Sequence, residues 1–183
     1  MHRLFLFMTL LVLAGCAGGQ KITDFSDRAV YYSWIDVSEV PGNRVTGFEI
    51  RNLSAPEDER YYSIGWEKMG DGFLVWHQGV TPGRYEYSKM WMMSCAVIIC
   101  TNTINEFDFG PEGSGVGSTA ITGPGQVVFA GCYAFRRTKR GFFRPGEFDT
   151  SATRCGVSQD AMLAVISENA TDAMVKQRIE AAR

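Results

Sequence analysis

The sequence predicts a mainly β fold: an antiparallel β-sandwich of about seven or eight strands, with a helical segment at the C-terminus. Three observations carry this expectation. Runs rich in β-branched and aromatic residues recur from Val30 onward, several of them alternating with period two. Between the runs stand Pro-Gly, Asp-Gly and polar turn clusters at the short spacing that hairpins need and parallel βαβ units do not. Only the chain after Ser158 spaces its apolar residues as a helix does.

The elements follow in order. Val30 to Val37 is the first run, Pro41-Gly42-Asn43 breaks it, and Arg44 to Asn52 follows with Thr46, Phe48 and Ile50 on one side. These two read as a hairpin. After a polar loop at Ser54 to Glu59, Arg60 to Met69 places Tyr62, Ile64 and Trp66 at period two. Gly70-Asp71-Gly72 then turns the chain into Phe73 to Val80, because Asp-Gly tolerates the positive φ of a tight hairpin turn. At Thr81-Pro82-Gly83 proline presets the first central position and glycine accepts positive φ at the second, and Arg84 to about Met92 resumes the alternation. Past Cys100 come a short strand, Glu106 to Phe109, a glycine-rich stretch, and a strong strand from Gln126 to Phe135.

That stretch contains Gly113-Ser114-Gly115-Val116-Gly117, the outline of a phosphate-cradling loop. Such a loop must open a helix whose N-terminus receives the phosphates. Here the following residues are β-branched and broken by Gly123-Pro124-Gly125, so the stretch reads as a loop between strands. Helix begins later. Ser158 is a candidate N-cap with Asp160 in the first turn, and Ala161 with Val165 and Met162 with Ile166 form an i, i+4 stripe. Asn169 ends this helix. Thr171 and Asp172 cap a second one, with Met174, Val175 and Ile179 inward and Lys176, Arg178 and Glu180 in water, so that the helical segment 158–182 docks on its own sheet.

The N-terminus carries the most specific signal. Met1, His2 and Arg3 give a basic start, Leu4 to Leu13 is apolar apart from Thr9, and Leu13-Ala14-Gly15-Cys16 follows. This resembles a bacterial lipoprotein leader. The resemblance implies a diacylglycerol thioether on Cys16, cleavage before it, and acylation of the freed amine. An ordinary secretory signal with an incidental cysteine competes with this reading. A transmembrane anchor does not, since ten residues make a helix of about 15 Å against a hydrocarbon core of about 30 Å. The chain then divides into a signal peptide at 1–15, a lipidated cysteine and tether at 16–28, and one domain at 29–183. The first partner is the bilayer, held through acylated Cys16. Ala17 follows that cysteine, and resemblance to enteric sorting, where Asp at this place retains a lipoprotein at the inner membrane, implies the outer membrane, facing the periplasm.

Removal of residues 1–15 leaves 168 of the 183 residues, enough for one domain with a sizeable core, and takes one charged residue, Arg3, so the net charge moves from -2 to -3. No nucleic-acid partner is expected. Arg136, Arg137, Lys139, Arg140 and Arg144 read as a solvated hairpin. Lipidation of Cys16 leaves Cys95, Cys100, Cys132 and Cys155 as an even set in an oxidising compartment, so two disulfides are expected among three possible connectivities. Along a regular strand Cys95 and Cys100 would stand about 16 Å apart at ~3.3 Å per residue, so a bridge between them demands a turn. Ala96 to Ile99 are poor turn residues. Without a Cys-x-x-Cys pair, and with His77 as the sole histidine after Cys16, neither a metal nor a cofactor is expected.

Thr81-Pro82-Gly83-Arg84-Tyr85-Glu86-Tyr87 and Gly125-Gln126-Val127-Val128-Phe129-Ala130-Gly131 resemble the Pro-Gly-x-Tyr and Gly-x-Val-x-Tyr-x-Gly strands of poorly characterised bacterial lipoproteins with a prealbumin-like or carboxypeptidase-regulatory-like β-sandwich. The chain departs in placing Phe129 where Tyr is usual and in inserting a Cys-flanked apolar segment. The resemblance implies a fold and a location, with no catalytic residues. It also implies an inter-strand loop between Cys95 and Cys100, and with it the pairs Cys95–Cys100 and Cys132–Cys155.

Catalytic chemistry finds little to use. A Ser-His or Cys-His mechanism must run through His77, no Gly-x-Ser-x-Gly elbow occurs, and oxidised cysteines are not nucleophiles. A glycosidase needs two carboxylates about 5 to 9 Å apart, and the sequence does not place Glu86 near Glu67 or Asp108. Aromatics make up 13% of the chain. Tyr85, Tyr87 and Trp91 share one strand parity, so on a regular strand they line one face, either in the core or as a platform for a glycan or another envelope protein. The expectation is thus a membrane-anchored binding or structural module, with an envelope hydrolase using carboxylates or His77 as the alternative.

Overall fold

The computed structural model describes residue 22 and residues 24–39, 43–96, 99–139 and 147–183. The strands are β1 (Ala29–Asp36), β2 (Asn43–Asn52), β3 (Tyr61–Met69), β4 (Gly72–Val80), β5 (Gly83–Ala96), β6 (Ile99–Asp108), β7 (Thr119–Ile121), β8 (Val127–Lys139) and β9 (Glu147–Ala152). Two helices follow, α1 (Gln159–Glu168) and α2 (Ala173–Ala182). The turns expected at Gly70-Asp71 and Pro82-Gly83 both join antiparallel or consecutive strands where the sequence placed them.

The sandwich expectation needs correction. The protein is mainly β, but its strands form one hydrogen-bonded sheet in the order β6-β5-β2-β3-β4-β1-β8-β9, with β7 on the first residues of β5, and this sheet curls into a half-barrel. It is also mixed, because β1 and β8 run parallel. The expected hairpin of the first two strands does not form: β1 pairs with β4 and β8, whereas β2 pairs with β3 and β5. Burial explains this. Tyr31 and Ile35 face the interior while Val30, Tyr32 and Trp34 face the helices, all nearly inaccessible. A strand with both faces covered belongs in the middle of a sheet.

The curl is made at β3. Its first residues pair with β2, from Arg51↔Tyr61 to Phe48↔Ile64, and its last with β4, from Gly65↔Trp76 to Met69↔Gly72. Inside the curl, Tyr31, Phe48, Ile50, Tyr85, Tyr87, Met90 and Met92 are buried together. The two edge strands approach through side chains: Phe107 of β6 meets Phe148 of β9 edge-on at 5.5 Å, and Phe148 stacks on Phe135 of the neighbouring β8 at 4.7 Å. The polar strand β9 and the three-residue β7 carry too weak an alternation to read from sequence.

Both helices begin as their caps dictate. Ser158 accepts from the Ala161 N–H, and Asp172 from those of Met174 and Val175. Met162, Leu163, Ile166, Val175 and Ile179 cover the outer face of β1, β4 and β8. Met174 is 45% exposed and not inward as expected. A disulfide joins Cys132 of β8 to Cys155 before α1, with Cα atoms 5.3 Å apart. In the β5–β6 ladder Cys95 is the direct partner of Cys100, so the chain does turn between them.

One buried ion pair stands apart from this apolar packing. Arg51 and Glu86 are register partners on β2 and β5, and both are buried. Arg51 Nε donates to Glu86 Oε1 at 2.7 Å and its Nη2 to the Gly110 carbonyl at 2.9 Å. Glu86 also accepts the N–H groups of Gly113 at 2.9 Å and Gly115 at 3.4 Å. The glycine-rich loop therefore gives its donors to the protein's own carboxylate. Removing one member of such a pair strands a buried charge. Glu86→Ala should lower the unfolding free energy in urea by about 3–5 kcal/mol, and the paired replacement Arg51→Met with Glu86→Leu should restore most of it.

Candidate functional site

The aromatic residues of β5 do not share a face. Glu49 pairs with Lys89 and Ile50 with Tyr87, which leaves Ser88 as an extra residue in β5. A bulge of this kind shifts side-chain parity by one. Tyr85 and Tyr87 are fully buried, Met90 and Met92 continue that inner face, and Lys89, Trp91 and Met93 take the outer positions. The three-aromatic platform is thus reduced to Trp91. The signal was present in the sequence as a change from odd to even apolar positions, Tyr85 and Tyr87 giving way to Met90 and Met92.

Trp91 stands opposite Gly47 of β2, where a Cβ would come within 3.2 Å of the indole ring. Glycine makes room for the ring on the sheet surface. Trp91 Nε1 donates to Glu106 Oε2 at 3.2 Å, and Lys89 Nζ pairs with Glu106 Oε1 at 2.8 Å. The hydrogen bond to Lys89 holds the Glu106 carboxyl below its usual range and raises the Lys89 ammonium in return. Across the ladder Met93 faces Ile104, which is 57% exposed. None of the described residues in the helix-packed outer cluster belongs to β2, β5 or β6. Trp91, Met93 and Ile104 therefore form an apolar strip bordered by the Lys89–Glu106 pair on a sheet face the helices leave uncovered.

His77 lies on β4 with the Tyr62 ring edge-on at 5.4 Å, and its Nδ1 accepts the Gly79 N–H at 3.0 Å. Burial, with a smaller contribution from the Arg28 charge, pulls its pKa down to about 4. At pH 7 the ring is neutral with Nδ1 engaged, whereas a general base works best with a pKa near the operating pH. The neighbouring hydroxyls serve one another. Asn52 Nδ2 donates to the Tyr85 hydroxyl at 3.0 Å, that hydroxyl donates to the Thr81 carbonyl at 2.6 Å, and the Tyr62 hydroxyl lies 3.1 Å from Thr81 Oγ1.

The remaining sequence candidates disperse. Glu86 is enclosed with Arg51, Glu67 is exposed on β3, and Asp108 is exposed at the end of β6 opposite Lys89. Arg136 pairs with Asp36 at 3.0 Å, Lys139 pairs with Glu147 at 2.7 Å, and Arg137 lies over the Phe148 ring at 5.6 Å. Arg140, Arg144 and Cys16 lie outside the described residues. Among the described residues, no three His, Cys, Asp or Glu side chains converge as metal ligands would. No protein-family model, curated protein or solved structure matches the chain.

The depressed His77 pKa ties stability to pH. Between about pH 6.5 and 4 the unfolded chain binds a proton that the folded chain refuses, so stability is complete above 6.5 and falls as pH drops toward 4. The loss over that window should be about 3 kcal/mol. Urea unfolding at stepped pH should show this slope in the native sequence and a nearly flat line for His77→Gln above pH 5.

Proposed function

We propose that this protein is an envelope lipoprotein, anchored by acylated Cys16 at the outer membrane and facing the periplasm, whose β2–β5–β6 face binds another envelope protein. The cysteine pattern supports the anchor. Cys132 is bonded to Cys155 and Cys95 stands opposite Cys100, so Cys16 is the odd residue of five, at the end of a leader with the lipoprotein pattern. We assign Cys95–Cys100 as the second disulfide on the same ground.

The uncovered strip of Trp91, Met93 and Ile104 carries the binding reading. Interfaces concentrate tryptophan and methionine at their centres and charged residues at their rims, as this strip does with Lys89 and Glu106. A protein is favoured over a glycan because the indole lies against the Gly47 backbone, and the Glu106 carboxylate and Lys89 ammonium beside it are already committed to the indole N–H and to each other. The hydrolase alternative receives no such support, since His77 is neutral and engaged and Glu86 is enclosed.

Two measurements test the reading. Cys16→Ser should lose metabolically incorporated fatty acid and release the folded domain to the soluble fraction, and an unchanged label would overturn the anchor. Trp91→Ala should reduce recovery of the crosslinked envelope partner at least about fivefold, the loss of ~1 kcal/mol expected for a central anchor, whereas His77→Ala should leave the partner set intact.

A further inference from the structure

We infer that the end of the half-barrel carrying Ile22 and the α1–α2 turn rests on the bilayer surface, and that Arg178 is the positioning residue that holds it there. The inference rests on the anchoring proposed above and adds a direction to it.

The N-terminal segment does not leave the domain freely. Phe25 packs with the cluster that joins the helices to the sheet. Ile22 and Phe25 lie over Gly79, where a Cβ would come within 2.4 Å of Ile22 Cδ1 and 3.2 Å of the Phe25 ring, so a side chain there would push the Ile22 tip aside. Arg178 Nη1 then donates to two carbonyls of that segment, Phe25 at 2.9 Å and Arg28 at 3.0 Å. The Arg28 carbonyl also accepts the Gly125 N–H at 2.8 Å, and the Val30 N–H donates to the Gln126 carbonyl at 2.8 Å. One guanidinium thus fastens α2 to the entry of the chain, beside the turn that opens β8. Sequence reading had placed Arg178 in water; it is partly buried.

Chain length converts this clamp into an orientation. Five residues separate Cys16 from Ile22, and the six steps between the two reach about 20 Å when fully extended. Strand direction fixes what lies at each end. β1 and β8 start here and run away in parallel, while β4 ends here. Over the eight residues of β1, seven steps at ~3.3 Å each, the far end is carried about 23 Å further. The β3–β4 turn at Asp71 therefore lies beyond the reach that the tether allows the near end. At the near end α1 finishes, with Gln78 Nε2 donating to the Ile166 carbonyl, and α2 begins, with exposed Met174 and Lys176 beside Arg178. An apolar side chain flanked by cations suits the headgroup layer.

The test uses the acylated chain in phosphatidylethanolamine–phosphatidylglycerol vesicles carrying a headgroup-attached quencher, with one fluorophore at Ala173→Cys or at Asp71→Cys, both exposed positions. Quenching at Ala173→Cys should exceed that at Asp71→Cys at least about twofold, since the tether is shorter than the domain. Adding Arg178→Ala should erase most of that difference while vesicle association and the urea midpoint stay near their original values. Equal quenching at the two positions, or stronger quenching at Asp71→Cys, overturns the orientation. A difference that survives Arg178→Ala overturns the clamp. If the Cys16→Ser chain is quenched as strongly as the acylated one, the anchoring itself fails and the orientation falls with it.

Discussion

The architecture turns on the buried pairing of Arg51 with Glu86. Enclosing two charges costs several kcal/mol per ion unless the geometry and further hydrogen bonds offset it. Here they do, because the carboxylate receives the guanidinium and two loop N–H groups, and the guanidinium also reaches the Gly110 carbonyl. An uncompensated charge would follow from any slip of β5 against β2, so the pair sets their register at Arg51↔Glu86. Only two residues later Ser88 is left without a register partner on β2, its carbonyl accepting instead from the Phe109 N–H at 3.1 Å, and every side chain beyond it changes face. The outward position of Trp91 is thus a consequence of the register set by an ion pair five residues before it.

The same interaction occupies donors of the glycine-rich loop whose outline resembles a phosphate cradle. Successive backbone N–H groups form a cradle for anions. Glu86 takes the place of an anion there, accepting the Gly113 and Gly115 N–H groups, and so fastens the loop to β5. His77 shows a similar economy. Its Nδ1 takes the Gly79 N–H, the Tyr62 ring covers it, and burial keeps it uncharged. Glu86 and His77 are thus both committed to the interior, whereas Glu67 and Asp108 stand exposed on separate strands.

What could be read from sequence was local. Helix caps at Ser158 and Asp172 and the Pro-Gly turn are decided by chemistry within a few residues and stand where that chemistry puts them, whereas the β3–β4 turn takes its positive φ at Gly70, with Gly72 already paired in β4. What could not be read was long-range. The run Ala29–Asp36 looks the same whether it pairs with its sequence neighbour or sits between β4 and β8, because its apolar residues satisfy either place. The bend in β3 has no residue signature beyond Gly65, and the bulge at Ser88 depends on β2. Among the candidate residues, Tyr85 and Tyr87 were grouped with Trp91 by counting in twos, a rule valid only for an uninterrupted strand. Arg178 was assigned to water because helical periodicity says nothing of a distant segment lying across the helix.

The two halves of the outer sheet surface differ in what covers them. Over β1, β4 and β8 the outward residues Val30, Tyr32, Trp34 and Leu74 are apolar and a pair of helices covers them, tied down by the Cys132–Cys155 bridge. Over β2, β5 and β6 the helices are absent, and a face meant only for water would alternate with polar residues throughout. Lys89, Glu49 and Glu106 obey that rule. Trp91, Met93 and Ile104 break it at adjoining positions on neighbouring strands. Trp91 and Met93 are half-buried and Ile104 is exposed, and this adjoining apolar group with its charged border is what the proposed interface rests on. Strand direction places this group toward the ends of β5 and β6 that lie farthest from Arg178, so a domain held by its N-terminal clamp would present the strip away from the membrane and toward whatever shares that compartment.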